Sequence, residues 1–338
     1  MPDVNPPAAV IFGCTGTTLT DSEKRFFADI DPMGFILFGR NIETPDQVRH
    51  LVGALRQTVG RAAPVLIDQE GGRVQRLKPP FWPARPAMAR FGAMAASDLP
   101  LARRAARLNA RLIAAALADL GIDVDCAPVL DLPVAGADGI IGDRALSTEP
   151  ILAADLGRAV IDGLLDGGVL PVVKHIPGHG RATLDSHLAL PRVDADRATL
   201  EGSDFVAFRC LRDAGWAMTA HVVYSAYDAC RPATLSPVVI SEVIRGFIGC
   251  DSVLLTDDLS MRALAGGFDE RAALSLRAGC DLVLHCNGAM AEMQAVAAGV
   301  RPLDDKSCER LAAAEARKRQ VPPTDTQAQL DLWLEQNA

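Results

Sequence analysis

The chain lacks most of what would commit it to nucleic acid, to a membrane or to the cell exterior. It has no run or stripe of Lys and Arg, and its 338 residues carry a net charge of −8, with a pI near 5.3. That balance excludes the electrostatic footprint of a nucleic-acid or anionic-membrane binder. No apolar run approaches the ~18 residues that a bilayer span requires. Residues 1–7 hold neither a basic stretch nor a long apolar one, and are read as no secretory leader. None of the eight cysteines forms a C-x-x-C pair, and most lie in apolar segments. They suit reduced core thiols of a cytoplasmic protein better than a disulfide framework. Internal repeats and low-complexity linkers are missing too. The proline-rich stretch Pro79-Pro80-Phe81-Trp82-Pro83-Ala84-Arg85-Pro86 is a loop within a domain, because apolar periodicity resumes on both sides.

What the chain does have is alternation. Short apolar runs at 9–12, 34–38, 64–68, 123–127, 169–173, 216–220, 252–256 and 281–284 read as strands. Helical patterns lie between them. One opens on the capping box Thr20-Asp21-Ser22-Glu23 and another on Thr44-Pro45, an N-cap followed by proline. Further helices are expected at 101–120, 151–165, 197–213, 237–245, 269–278 and 289–298. Eight such units imply an α/β fold, a single (β/α)8 barrel of the TIM type over residues 1–320. A doubly wound sheet is the rival, but Phe12-Gly13-Cys14-Thr15-Gly16 does not have the glycine spacing of a dinucleotide turn. Residues 321–338 read as a tail: Val321-Pro322-Pro323 terminates the barrel, and Leu330, Leu332, Trp333 and Leu334 fit a short helix docked on it.

Histidine is scarce, and half of the six fall within residues 174–187. There Lys174-His175-Ile176-Pro177-Gly178-His179-Gly180 and Asp185-Ser186-His187 follow an apolar run. A buried strand that ends in a polar, glycine-containing loop is a usual place for catalytic groups. Its two glycines and few apolar anchors predict mobility. The other strand ends are also polar: Asp68-Gln69-Glu70-Gly71-Gly72-Arg73, Asp131 and Arg144, His221, Asp257-Asp258, and His285. Any one of these has an ordinary structural reading, such as Glu70 pairing with Arg73, or an aspartate capping a turn. Six together point to one mouth.

Several chemistries suit such a rim. Glycoside hydrolysis needs a nucleophile or base and a proton donor on either side of one bond. Metal-assisted hydrolysis would use His175, His179, His187 and His221, but Pro177 and Gly178 prevent the helix that would align the first two. Lys174 as a Schiff-base lysine would need a depressed pKa. A sugar-binding protein would use Asp68, Arg76 and Lys174 but not an aspartate–histidine dyad.

The segments Ile67-Asp68-Gln69-Glu70-Gly71-Gly72-Arg73-Val74-Gln75-Arg76, Lys174 to Gly180, Asp185-Ser186-His187 and Thr256-Asp257-Asp258-Leu259-Ser260-Met261 resemble glycoside hydrolase family 3. More narrowly, they resemble its bacterial cytoplasmic β-N-acetylglucosaminidases (β-N-acetylhexosaminidases) of peptidoglycan recycling. The likeness runs from about residue 8 to 300. Ile176 stands where an aromatic is common, and Thr256 where a serine is. The resemblance implies a retaining enzyme with Asp257 as nucleophile, His187 as general acid/base and Asp185 as its partner. Asp68, Arg76, Arg144, Lys174 and His175 would bind the sugar. The implied substrate is N-acetylglucosaminyl-1,6-anhydro-N-acetylmuramic acid, with or without peptide. Phosphorolysis on the same scaffold is the alternative outcome. No cofactor or metal is implied, nor any partner beyond the small-molecule substrate, and the chain is expected to act as a monomer.

Overall fold

A computed structural model describes residues 6–322 and 326–336. Residues 1–5, where the leader reading falls, and Pro323 of the terminator lie outside the described residues. The expected alternation closes into a barrel of parallel strands. We number these β1 (Ala8–Gly13), β2 (Pro32–Leu37), β3 (Val65–Ile67), β4 (Val124–Asp125), β5 (Leu170–Ile176), β6 (Trp216–Thr219), β7 (Val253–Asp258) and β8 (Leu282–His285). Closure is made by β1, which pairs with β8 at Val10–Val283 and with β2 at Ile11–Gly34. The strands are β-branched, apolar and buried on both faces, as a parallel sheet under a jacket of helices demands.

Local chemistry accounts for most boundaries. Thr20 caps the helix Asp21–Ile30 by accepting from Glu23 N–H, and the Glu23 side chain returns the bond. Thr44 caps Pro45–Val59 by accepting from Gln47 N–H, and the Gln47 side chain takes the Glu43 N–H. Two strands run further than expected: β5 continues through Lys174 and His175, and β7 through Asp257 and Asp258. Those side chains therefore project from the barrel wall itself, not from loops after it. The expected helix at 197–213 is two pieces, Arg197–Gly202 and Asp204–Cys210. Ser203 breaks it: its hydroxyl donates to Thr199 O, and its ψ of −84° leaves the helical ladder. The segment Val239–Phe247 is wound wider than an α-helix, with Ile248 N–H reaching Val243 O. In the tail, Gln327–Glu335 is helical and lies against Leu99–Asp119, with Leu330 buried and Arg104 over the Trp333 ring. Among the described residues, no helix is long and apolar enough to cross a membrane.

The helices Leu99–Asp119 and Pro150–Asp166 pack closely at Gly163, where an added Cβ would lie 2.2 Å from Arg107 O and 2.8 Å from Ala110 Cβ. Backbone cannot yield as a flexible side-chain tip can. Gly163→Ala is therefore expected to lower unfolding free energy by about 1–3 kcal/mol. Denaturant titration checks this, and an unchanged midpoint would show that the two helices can slide apart.

Candidate active site

The C-terminal mouth of the barrel holds a cavity of about 200 Å3. Sites for drug-sized ligands span roughly 300–1,000 Å3, so this one suits a single ring. The centre of its wall is Lys174 on β5. The ammonium lies 2.9 Å from Asp68 Oδ1 and 2.6 Å from Glu70 Oε1. Arg76 reaches the other oxygen of Asp68 at 3.1 Å. Arg144 grips both oxygens of Glu70, at 2.9 Å each. Three cations thus face two carboxylates, and the cluster carries one net positive charge. Burial by itself would raise the Asp68 and Glu70 carboxyls, but Lys174 with Arg76, and Lys174 with Arg144, outweigh it and hold both low. The same carboxylates overcome burial and raise Lys174. A lysine held protonated is the wrong state for an imine-forming amine.

Glu70 is an addition to the expected site. Its anticipated partner Arg73 bonds instead to Asp143 at 2.8 Å, which leaves Glu70 to the interior. Asp131 is another addition. It is fully buried and takes His175 Nδ1 at 2.6 Å, His175 N–H at 3.2 Å and His179 N–H at 2.6 Å. With Nδ1 donating to Asp131, His175 keeps Nε2 for the cavity it lines. A lone aspartate between Leu130 and Leu132 was the available signal, because a carboxylate in an apolar run must find internal donors. Beneath the cluster, Asp125 is fully buried: Oδ1 accepts from Gln69 N–H at 2.9 Å and Oδ2 has no partner.

The paired aspartates at the end of β7 differ in their commitments. Asp258 accepts from Ser260 N–H at 3.0 Å and from Cys286 N–H at 3.1 Å, and also bonds the Ser260 hydroxyl. It holds a turn. Among the described residues, Asp257 accepts only the Asp258 N–H, at 2.8 Å, and it lines the cavity. Burial would raise its carboxyl, but the imidazoles of His175 and His221, that N–H and Lys174 together hold it below the ordinary range. His221 sits behind it, fully buried, donating through Nε2 to Asp258 O at 3.0 Å and facing Thr234 through Nδ1 at 2.7 Å.

His187 lines the same cavity and is largely exposed, with 61% of its side chain accessible. Its Nδ1 meets Asp185 Oδ1 at 2.8 Å, and the same oxygen takes His187 N–H at 2.8 Å. The loop carrying this dyad is better anchored than its composition implied. A Cβ on Gly180 would sit 2.0 Å from Leu132 O, Arg181 binds Asp204 at 2.6 Å, and Ala182 is buried. Backbone pairing with residues 134 and 138 fixes this first half. Only the stretch from Leu184 to Leu190 presents large exposed apolar side chains. His179, buried and lowered by burial, bonds Ser186 through Nε2 at 3.2 Å. Among the described residues, no group of three or more His, Cys, Asp or Glu is arranged to hold a metal.

All eight residues expected at the site thus line one cavity or stand directly behind it. Asp68, Arg76, Arg144, Lys174, His175, His187 and Asp257 line it, and Asp185 supports His187. Among the described residues, Asp257 has no ion pair, and it shares this cavity with His187 and with the charged donors and acceptors around Lys174. That set can attack an electrophilic carbon, deliver a proton and bind hydroxyl groups.

Comparison with known proteins agrees with this chemistry. Residues 15–318 match the glycosyl hydrolase family 3 N terminal domain. A protein named beta-hexosaminidase from Alkalilimnicola ehrlichii is 41% identical over 303 residues, spanning 88% of this chain and 84% of that one. One of the same name from Thioalkalivibrio sulfidiphilus is 38% identical over 320 residues, 91% of this chain and 89% of that one. Native NagZ from Neisseria gonorrhoeae has the same fold, with a TM-score of 0.86 at 32% identity over 99% of this chain and 98% of that one. The same protein in complex with N-trifluoroacetyl-D-glucosamine gives 0.85 at 32% identity over 98% of each chain.

Asp125 yields a test of the cluster's electrostatics. Burial pushes its carboxyl up to about 7, whereas in the unfolded chain it titrates near ~3.9. The folded state therefore binds the extra proton, so Asp125 lowers stability progressively from about pH 4 to 7 and by a constant amount above. Asp125→Asn should stabilise the protein more at pH 7.5 than at pH 4.5 in urea unfolding. An equal effect at both pH values would mean an ordinary carboxyl there.

Proposed function

The chain belongs to glycosyl hydrolase family 3, and from that premise we propose that it is a retaining β-N-acetylhexosaminidase acting on peptidoglycan fragments. It would release terminal N-acetylglucosamine from N-acetylglucosaminyl-1,6-anhydro-N-acetylmuramic acid, with or without peptide. The observation that carries this reading is Asp257: an ionised carboxylate on the barrel wall, free of ion pairs, lining the same cavity as the Lys174 cluster and His187. The relatives named beta-hexosaminidase support it, as does the N-acylglucosamine seated in the gonococcal neighbour.

In this mechanism Asp257 attacks the anomeric carbon, held rigidly by β7. His187 gives its proton to the leaving oxygen and is then neutral. Asp185 orients the ring by accepting from Nδ1, so that Nε2 carries the reacting proton. In the second step the neutral imidazole takes a proton from water, which attacks the glycosyl–Asp257 ester. Asp68, Arg76, Arg144, Lys174 and His175 hold the sugar hydroxyls and the N-acetyl group. Free thiols at all eight cysteines, three of them exposed, suit a reducing cytoplasm. A carboxylate acid/base would stand anionic at the second step and repel an anionic acceptor. A neutral His187 does not, which keeps phosphate in view as an alternative acceptor.

Asp257→Ala should remove nearly all turnover of aryl β-N-acetylglucosaminides, because Asp258 is tied to Ser260 and Cys286 and cannot replace it. Asp258→Ala should be milder in kcat, and the reverse ranking would mean that the nucleophile is the other aspartate.

His187→Gly should slow substrates with poor leaving groups most, since these depend on the donated proton. With good leaving groups it should give a burst, as glycosyl–Asp257 forms and stalls. Adding phosphate to the unaltered enzyme tests the acceptor through the appearance of N-acetylglucosamine 1-phosphate. Equal slowing of good and poor leaving groups, without a burst, would remove His187 from the proton-donor role.

A further inference from the structure

The loop after β3 carries Asp68, Glu70 and Arg76, and its turn rests against residues 85–87. Gly71 and Gly72 both take positive φ, 96° and 56°. A Cβ on Gly71 would lie 2.3 Å from Pro86 O, and one on Gly72 would lie 2.7 Å from Ala87 Cβ. The two stretches are also hydrogen-bonded. Arg85 O accepts from Gly72 N–H at 2.9 Å, and Arg85 N–H donates to Gln75 Oε1 at 3.2 Å. Gln75 Nε2 completes the knot by donating to Gly72 O at 3.1 Å. Glu70 stands immediately before this knot and Arg76 immediately after it.

The C-terminal helix Gln327–Glu335 holds Arg85 in turn. The Arg85 guanidinium is buried, and among the described residues its only hydrogen-bond partner is Gln327, whose Oε1 accepts from it at 2.6 Å. Gln327 Nε2 donates to Asp331 Oδ1 at 2.8 Å, one helical turn on. That second bond fixes which end of the amide faces the guanidinium. Burial pushes the Arg85 guanidinium down, and the charge of Asp331 opposes it. The helix thus supplies both the acceptor and the countercharge for a buried cation, which is costly to leave without either. Docking on Leu99–Asp119 through Leu330 and Trp333 does not account for these bonds. The family match ends at residue 318, before this helix begins.

We propose that Gln327 and Arg85 are positioning residues for sugar binding: through them the C-terminal helix sets where the turn at Gly71–Gly72 lies, and hence where Glu70 meets Lys174 and Arg144 and where Arg76 meets Asp68. Neither residue lines the cavity. The effect falls on affinity for the ring, because Asp257 and His187 stand on β7 and on the loop after β5, which these bonds do not reach. A displaced wall weakens substrate and transition state alike, so KM rises while kcat holds. The proposal rests on the hexosaminidase reading above.

The test measures kcat and KM for an aryl β-N-acetylglucosaminide, and the inhibition constant of free N-acetylglucosamine, in the full-length unaltered protein and in Gln327→Leu, Gln327→Glu, Asp331→Asn and Arg104→Met. Thermal midpoints are recorded alongside. Gln327→Leu should raise KM and the inhibition constant together, about fivefold for one misplaced hydrogen-bonding wall, with little change in kcat. Gln327→Glu keeps an acceptor for Arg85 and should stay near the unaltered constants. Asp331→Asn, at an exposed position, should move both constants in the same direction as Gln327→Leu but by less, and it decides the matter if Gln327→Leu does not fold. Arg104→Met removes the cation over the Trp333 ring and loosens the same helix by another contact. It should lower the thermal midpoint and leave both constants alone. If the unaltered protein cleaves the substrate but Gln327→Leu and Asp331→Asn leave both constants unmoved, the positioning role is overturned while the hexosaminidase reading stands. An equal rise in Arg104→Met overturns it too, since any loosening of the helix would then suffice. If the unaltered protein neither cleaves the aryl substrate nor binds N-acetylglucosamine, both fall together.

Discussion

Everything at the mouth of this barrel is arranged around one buried ammonium. Lys174 sits between Asp68 and Glu70, and each of those carboxylates brings its own arginine. The result is a closed set of charges contributed by three separate stretches of chain: the loop after β3, the segment around Arg144, and β5. Without the ammonium, two buried carboxylates would share a site with too few partners, a loss of about 3–5 kcal/mol for breaking such a pair. The cluster thus fixes the relative position of these stretches from inside, as Arg73 on Asp143 does from the rim. Lys174 also helps to hold the Asp257 carboxyl low, two strands away.

The barrel was legible because eight short apolar runs alternate with helical patterns, and the residues of the mouth were legible because strand ends carry polar residues that apolar strands do not need. What could not be read was the pairing of charges. Glu70 has Arg73 three residues away, the nearest partner along the chain, and binds instead to Arg144 and Lys174 across the mouth. Local spacing says nothing of such distant contacts. Strand limits were also beyond reach at β5 and β7, where Lys174, His175, Asp257 and Asp258 remain in extended, paired backbone although their side chains are polar. In those places the polar side chains point into a mouth rather than into a core, and polarity no longer marks the end of a strand. The break at Ser203 was hidden by a helix-forming composition on both sides.

The two carboxylates of β7 show how neighbouring residues with the same chemistry acquire different work. Asp258 commits its oxygens to the turn that follows and to Cys286 N–H just past β8, which holds the two strand ends together. Asp257 has one short bond to the next peptide and is otherwise directed to the cavity. Rigidity is supplied by one residue, and the other is left open to the cavity. A similar division holds at β5, where Asp131 immobilises His175 from behind so that the imidazole presents one defined nitrogen.

The loop bearing His187 is clamped on one side by Gly180 wedged under Leu132 and by Arg181 on Asp204, and on the other by Ser186 O accepting from Ala263 N–H. None of these holds involves the Lys174 cluster. The segment is joined to the wall at one point, His179, which bonds Ser186 in the loop and Asp131 behind His175. The exposed residues between the clamps, Leu184, Leu188 and Leu190 among them, can be exchanged by natural drift or by engineering to reshape the entrance while the charges around Lys174 stay in place.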